Sequence, residues 1–189
     1  TKILSLKKAI GGLACNVAVD LKRLDKNLEV FVGGKISDDE NGKFVLDVLK
    51  KEHLDVSRII TTKEDKTSFT SVFSEIEGNR TFFNYPGSSS IFGYEDINFE
   101  NLDVKMIHLG YFLLLDKIDN EDGIKILKKC QELGIKTSID LVSENSDKYK
   151  IVQPVLKYVD NLKKSLDNVY LSATDDKKFL AEIVKKCLP

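Results

Sequence analysis

The stretch "IGGLACNVAVDLKRL", Ile10 to Leu24, sets a glycine pair directly in front of an apolar-periodic segment. Leu13, Val17, Leu21 and Leu24 recur at helical spacing, and Ala14 and Ala18 fill the same face, which predicts an amphipathic helix with that face inward. A glycine pair at a helix N-terminus leaves N–H groups that a ligand oxygen can approach closely, because no Cβ is in the way. Asn16, on the second turn, carries a donor and an acceptor on one amide, which suits paired hydroxyls. Two readings stand here. The plainer one, favoured by composition, is a glycine turn before a helix with Asn16 in water. The other is the floor of a binding site.

Outward from this stretch the chain alternates. "TKILSL" is a short apolar run that suggests a buried strand, and "LEVFVGG" reads as a strand closed by its glycines. "SDDENGKFVLDVLKKEHL" predicts a helix with Phe44, Val45, Val48 and Leu49 on one side. Asp38, Asp39 and Glu40 stand near its start, where the helix dipole favours acids, so the two aspartates are expected to cap rather than to bind. "VSRII" is a further strand. Strand and helix in alternation predict a mostly parallel sheet covered by helices.

The alternation then breaks. "TSFTSVFSEI" and "RTFFNY" are β-prone, and Gly78-Asn79 between them predicts a two-residue hairpin turn. After the loop "PGSSSIFGYEDI" the alternation resumes: "VKMIHLG" a strand, "NEDGIKILKKCQELG" a helix, "IKTSIDL" a strand. "KYKIVQPVLKYV" reads as a helix interrupted or started by Pro154, and "DDKKFLAEIVKKCL" as a closing amphipathic helix.

Composition narrows the function classes. The 189 residues are 42% hydrophobic and 31% charged with a net charge of −1, ordinary for a soluble globular protein, with length enough for one domain and a core. Lysine is spread along the chain with no dense basic face, which argues against nucleic-acid binding. No apolar run reaches about 18 residues, so no membrane-spanning segment is expected. Cys15, Cys130 and Cys187 form no CxxC pair, and with only His53 and His108 a metal site is not expected. Free thiols suggest a reducing, cytoplasmic setting. Dinucleotide, Walker and nucleophile-elbow motifs are all absent.

Read together, the motifs resemble those of the ribokinase-like carbohydrate kinases, the PfkB family. "GGLACNVAVDLKRL" is similar to its first signature, "VFVGGKISDDENGKFVLDVLKKEHLDVSRI" to the strand, paired-aspartate turn and helix that follow, and "KTSFTSVFSEIEGNRTFFNYPGSS" to its hairpin and Gly-small-small loop. "MIHLGYFLLL" and "GIKTSIDL" resemble two later core strands, so the order agrees from about residue 10 to residue 160.

The resemblance implies an α/β three-layer sandwich with a mostly parallel central sheet and a small β-hairpin lid. It implies a core of residues 1–66 and 86–189 and a lid of residues 67–85. It implies ATP and Mg2+ as cofactors and a small sugar as substrate, closer to the fructokinase and keto-sugar branch than to adenosine kinases. Gly11, Gly12 and Asn16 inherit substrate binding, and Arg80 the hairpin position from which the lid often reaches the site. A solvated strand charge is an equal reading of Arg80. His108 is expected at the end of a core strand as a structural histidine, and Cys15 fills a small-residue slot. If the apolar face of the hairpin is left uncovered, Phe69, Phe73, Phe82 and Phe83 form an exposed patch, and a homodimer through the lid is expected.

Departures from the family pattern are as informative. Asp25 and Ser37 replace a small residue and a glycine, and the first strand runs almost directly into "KKAIGG". The family's Gly-Ala-Gly-Asp loop, whose N–H groups and aspartate serve phosphoryl transfer, has no counterpart, since the last glycine is Gly134. The Asn-x-x-Glu pattern is absent too, and the pattern changes abruptly after "YVDN", where the family continues with a core strand. The expectation is the substrate-binding half of a kinase, with no catalytic residue in these 189 and no enzymatic phosphorylation by them alone. A non-catalytic sugar-binding or interaction protein and a nucleoside kinase are the alternatives.

Overall fold

In the computed structural model, residues 2–142 and 147–164 are described. They fall into two compact units, divided along the chain between Phe92 and Gly93.

In the first unit, helix α1 (Leu13–Leu24) leads into strand β1 (Phe31–Ser37), helix α2 (Glu40–Lys51) and strand β2 (Asp55–Thr62), with β1 and β2 paired in parallel. A parallel pair needs a crossover, and α2 supplies it. Ala18, Val19, Val32, Leu49 and Leu54 form the core, and Ile10, Cys15, Val45 and Ile59 pack against it. Helix α2 buries the expected side, with Leu49 fully enclosed. Helix α1 does so only in part. Ala18 of the expected face goes inward, but Leu21 is partly in water and Leu24 is 85% exposed, and Val19, off that face, is buried with Ala18. The inward surface is thus shifted toward the smaller side chains Cys15, Ala18 and Val19, which lie on the core.

Two strand expectations are corrected. "TKILSL" forms no ladder over its described residues, and Leu4 and Leu6 lie in solvent. An apolar run becomes a strand only where another strand offers hydrogen bonds, and none among the described residues pairs with it. Strand β1 is not closed by its glycines but runs through them, with Gly33 opposite Arg58 and Gly34 opposite Ile59.

Strands β3 (Phe69–Ser74) and β4 (Arg80–Tyr85) make the antiparallel hairpin, and every residue in them is exposed. Its turn differs from the expected two-residue form. Glu75 N–H donates to Asn79 O at 2.9 Å and Gly78 N–H to Glu75 O at 3.0 Å, leaving Ile76, Glu77 and Gly78 as a three-residue loop. Gly78 takes φ +92°, the left-handed residue that this loop type requires. Alternation puts Phe69, Phe73, Phe83 and Tyr85 on one face, and Phe82 with Val72 on the other. Phe69 stacks on Tyr85 with centroids 5.5 Å apart, and Phe73 meets Phe83 edge-on at 5.7 Å. The short helix α3 (Gly87–Ser90) follows.

In the second unit, β5 (Met106–Phe112), β6 (Lys136–Leu141) and β7 (Asn161–Lys164) form a parallel sheet in that order. Helix α4 (Gly123–Glu132) packs on it through Ile126, Leu127 and Cys130. It begins later than the sequence suggests, because a π-type turn at Ile118–Asp122 precedes it. "KYKIVQPVLKYV" is interrupted around Pro154 as expected, but the pieces on either side are 3-10 turns, Asp147–Val152 and Leu156–Tyr158, rather than α-helix. A proline there denies the N–H that a continuous helix needs.

Strand β7 corrects the expected abrupt change after "YVDN". Asn161–Lys164 has a single apolar residue and so carries little strand pattern. Asp160 makes up for it: its Oδ2 accepts the Thr137 N–H at 2.7 Å and the Thr137 hydroxyl at 3.0 Å, which sets β7 beside β6. The closing helix and Cys187 lie outside the described residues.

Candidate functional site

Helix α1 begins at Gly12, with φ +84° and ψ 141°, a backbone that side-chain-bearing residues rarely adopt. Gly12 O accepts the Asn16 N–H at 3.1 Å, the first bond of the helix, and no side chain caps this end. Gly11 is exposed, and a Cβ added there would meet nothing within 4 Å. Gly12 is therefore demanded by the fold, whereas Gly11 is not.

One turn on, the exposed Asn16 lines a depression of about 330 Å³ between α1 and α2. Ile10, Val19 and Val48 are its apolar lining, and Asp20 adds a carboxylate one turn beyond Asn16. Arg23 and Glu52 close the far side with a two-pronged pair at 2.9 and 2.5 Å. The hydrogen bond from Arg23 holds the Glu52 carboxyl below its ordinary range and raises the guanidinium in turn. Gly11 and Gly12 adjoin Asn16 along the chain but do not line this depression. An amide and a carboxylate over an apolar floor can bind hydroxyls at the rim and C–H groups below.

Arg80 opens β4 opposite Ser74, next to the hairpin turn, with its guanidinium carbon 5.6 Å from the Phe82 ring centroid. It is thus on a different element from Gly11, Gly12 and Asn16, which share the start of α1. His108 lies mid-strand in β5 rather than at its end, and its Nδ1 is 3.0 Å from Ser138 Oγ. Asp39 caps α2 as expected, and Asp38 pairs with Lys43 at 3.1 Å.

Sequence reasoning missed the joint at the hairpin's base. Asp39 Oδ1 accepts the Gly42 N–H at 2.8 Å, and its Oδ2 accepts the Thr67 N–H at 2.9 Å. Thr67 Oγ1 accepts the Ser37 N–H at 2.8 Å, and Ser88 donates its N–H to Lys66 O at 2.8 Å and its hydroxyl to Lys35 O at 2.7 Å. A Cβ at Gly42 would fall on the Ser37 carbonyl oxygen. The signal was the run of small polar residues in "PGSSS", which reads as loop because nothing local announces its partners.

Among the described residues no group of three or more His, Cys, Asp or Glu side chains is placed to hold a metal ion. No helix among the described residues is long and apolar enough to cross a membrane.

The model of the pfkB family carbohydrate kinases matches residues 2–184. A 5-dehydro-2-deoxygluconokinase of Mesomycoplasma hyopneumoniae is 34% identical over 145 residues, which is 75% of this chain and 39% of that protein. A probable fructokinase-2 of Arabidopsis thaliana is 29% identical over 136 residues, 70% of this chain and 41% of that protein. The chain thus spans about two fifths of the length of these two curated relatives. Among solved structures, the fructokinase from Xylella fastidiosa superposes with a TM-score of 0.76 at 22% identity, covering 96% of this chain and 62% of that one. The Halothermothrix orenii fructokinase does so with a TM-score of 0.73 at 25% identity, covering 94% and 66%. These likenesses give the chain the ribokinase-like α/β sandwich fold with its mostly parallel sheet, on the fructokinase side of the family rather than the adenosine kinase side. The chain belongs to the pfkB family of carbohydrate kinases.

Proposed function

We propose that these residues form the sugar-recognition part of an ATP-dependent carbohydrate kinase that phosphorylates a hydroxyl of a small sugar. The observation that carries this reading is the start of α1, where Asn16 faces solvent one turn beyond a glycine junction that the fold holds open at φ +84°. In this reading Gly11 and Gly12 let the sugar approach the backbone, and Asn16 pairs with adjacent hydroxyls. Arg80 reaches the sugar from the hairpin lid. ATP and Mg2+ enter as the family's phosphate donor and metal, and no phosphate-handling group is assigned among the described residues.

The relatives name two acceptors worth trying, fructose and 5-dehydro-2-deoxygluconate. Calorimetric titration of both into the protein tests the reading. Asn16→Ala removes about two hydrogen bonds to a neutral ligand, so affinity should fall by roughly 1–3 kcal/mol. Unchanged affinity in that variant returns Asn16 to the solvated-helix reading. Sugar-dependent ADP release from the encoded protein, with ATP and magnesium supplied, tests the transfer itself.

A further inference from the structure

Charge decides what the depression between α1 and α2 can hold. Asn16, Asp20 and Arg23 stand four and then three residues apart along α1, so they share one face of that helix. Val48 and Glu52 repeat the spacing where α2 ends and close the opposite wall. All five belong to the first unit, and Asn16 is the residue to which sugar binding is assigned above. A ligand on the Asn16 amide therefore meets Asp20 one turn further on, and the Arg23–Glu52 pair beyond it.

The three ionised groups are not equivalent. Nε and one Nη of Arg23 donate to the two carboxylate oxygens of Glu52, at 2.9 and 2.5 Å. A guanidinium grips an anion through that same two-pronged edge, and here the chain's own carboxylate already fills it. Asp20 has no such partner. Among the described residues its carboxylate accepts no hydrogen bond, and it acts on Arg23 through its charge alone. One cation against two carboxylates leaves the depression negative, and the cation is the group that is occupied.

Such a site distinguishes ligands by charge. An ionised carboxylate accepts hydrogen bonds from hydroxyls and repels a second carboxylate. Two like charges about 4 Å apart disfavour each other by about fivefold even in water. We propose that Asp20 and Glu52 set the substrate class of this site as a neutral sugar rather than a sugar acid. Asp20 contacts the sugar, accepting from a hydroxyl next to those held by Asn16. Glu52 is a positioning residue: it keeps Arg23 from pairing with an incoming carboxylate. Val19 and Val48 lie beneath the sugar's C–H groups and do not discriminate. This assignment rests on the sugar-kinase reading above.

The two acceptors already named differ in the relevant property, since fructose is neutral and 5-dehydro-2-deoxygluconate carries a carboxylate. Calorimetric titration of both, at low ionic strength, compares the unmodified protein with Asp20→Asn and Glu52→Gln. The unmodified protein should favour fructose by about fivefold or more. Asp20→Asn removes the repelling charge at constant size, and Glu52→Gln releases the Arg23 fork. Each should shift the ratio of the two affinities toward the acid by about fivefold. Raising the salt to about 1 M, which screens charge beyond roughly 3 Å, should erase most of that shift. A purely structural loss would weaken both sugars alike and leave their ratio unmoved. An unmodified protein that favours the acid overturns the assignment and leaves the sugar reading intact. A ratio that stays unmoved in one variant overturns the part given to that residue. An unmodified protein that binds neither sugar overturns the sugar reading, and the charge selection falls with it.

Discussion

Asp39 and Thr67 are joined by a 2.9 Å hydrogen bond from the Thr67 backbone to a carboxylate whose other oxygen caps helix α2. One side chain therefore holds both the start of a helix and the base of the hairpin. Asp39→Ala should lose the cap, about 0.5–2 kcal/mol, and leave the Thr67 N–H unsatisfied, about 1–3 kcal/mol. Urea unfolding followed by hydrogen exchange should show the loss in the first unit, with the Thr67 amide among the most affected. Wild-type exchange at Thr67 in that variant would sink the prediction.

The same carboxylate predicts a pH dependence. Burial works to raise the Asp39 pKa, but the hydrogen bonds from Gly42 and Thr67 and the charge of Lys66 together outweigh it and hold it below the usual range. A folded pKa below the unfolded one contributes stability that is present above the unfolded value and lost as pH falls through the folded one. Asp39→Asn should flatten the acid limb of the stability curve while leaving its neutral slope alone. Unfolding at a series of pH values checks this.

The two glycines before α1 should separate. Gly12→Ala forces a side chain onto φ +84° and should cost about 1–3 kcal/mol. Gly11→Ala has open space around it and should leave stability within about 0.5 kcal/mol. In the proposed reading it still weakens sugar binding, because the added methyl occupies the approach to the backbone. Loss of stability in both variants, or in neither, would contradict the geometry.

An exposed aromatic face on the hairpin suits an interaction surface, and a second copy of the chain is the partner we expect. Phe69, Phe73, Phe83 and Tyr85 supply that face. Sedimentation over a wide concentration range should show dimers, and Phe73→Glu with Phe83→Glu should return monomers. A monomeric mass at high concentration counts against it.

Thiol chemistry gives an independent check on the second unit. Burial pushes the Cys130 thiol up to about 11, and burial also raises Cys15, which is only half enclosed. In a Cys187→Ser variant, an aromatic disulfide reagent at neutral pH should modify Cys15 slowly and reach Cys130 only on unfolding. Rapid labelling of both in the native protein would mean that α4 does not pack as described.

Much of this was legible from local pattern. Helix α2 and its cap, the parallel strands and the hairpin follow from periodicity, turn residues and acids near a helix start. What escaped depends on partners far away in sequence. "TKILSL" is apolar enough for a strand but pairs with no strand among the described residues, whereas Asn161–Lys164 is polar and becomes one because Asp160 fastens it to Thr137. The inward face of α1 turned on side-chain size at the core, which a count of leucines does not reveal. At the candidate site, Asn16 stood out through its neighbours. The Asp39–Thr67 joint did not, because no short-range signal announces a contact 28 residues away.

The hairpin leaves and rejoins the first unit at nearly one point. Ser88 N–H reaches Lys66 O at 2.8 Å, and Ser68 and Ser89 share a hydroxyl contact at 2.6 Å. The arm between them is therefore a closed excursion, and its length does not enter the register of β1 with β2. Such an arm is free to lengthen, shorten or change its sequence over generations while the layer beneath it stays as it is. Variation that alters partners or ligands can accumulate there without being tested against the stability of the core.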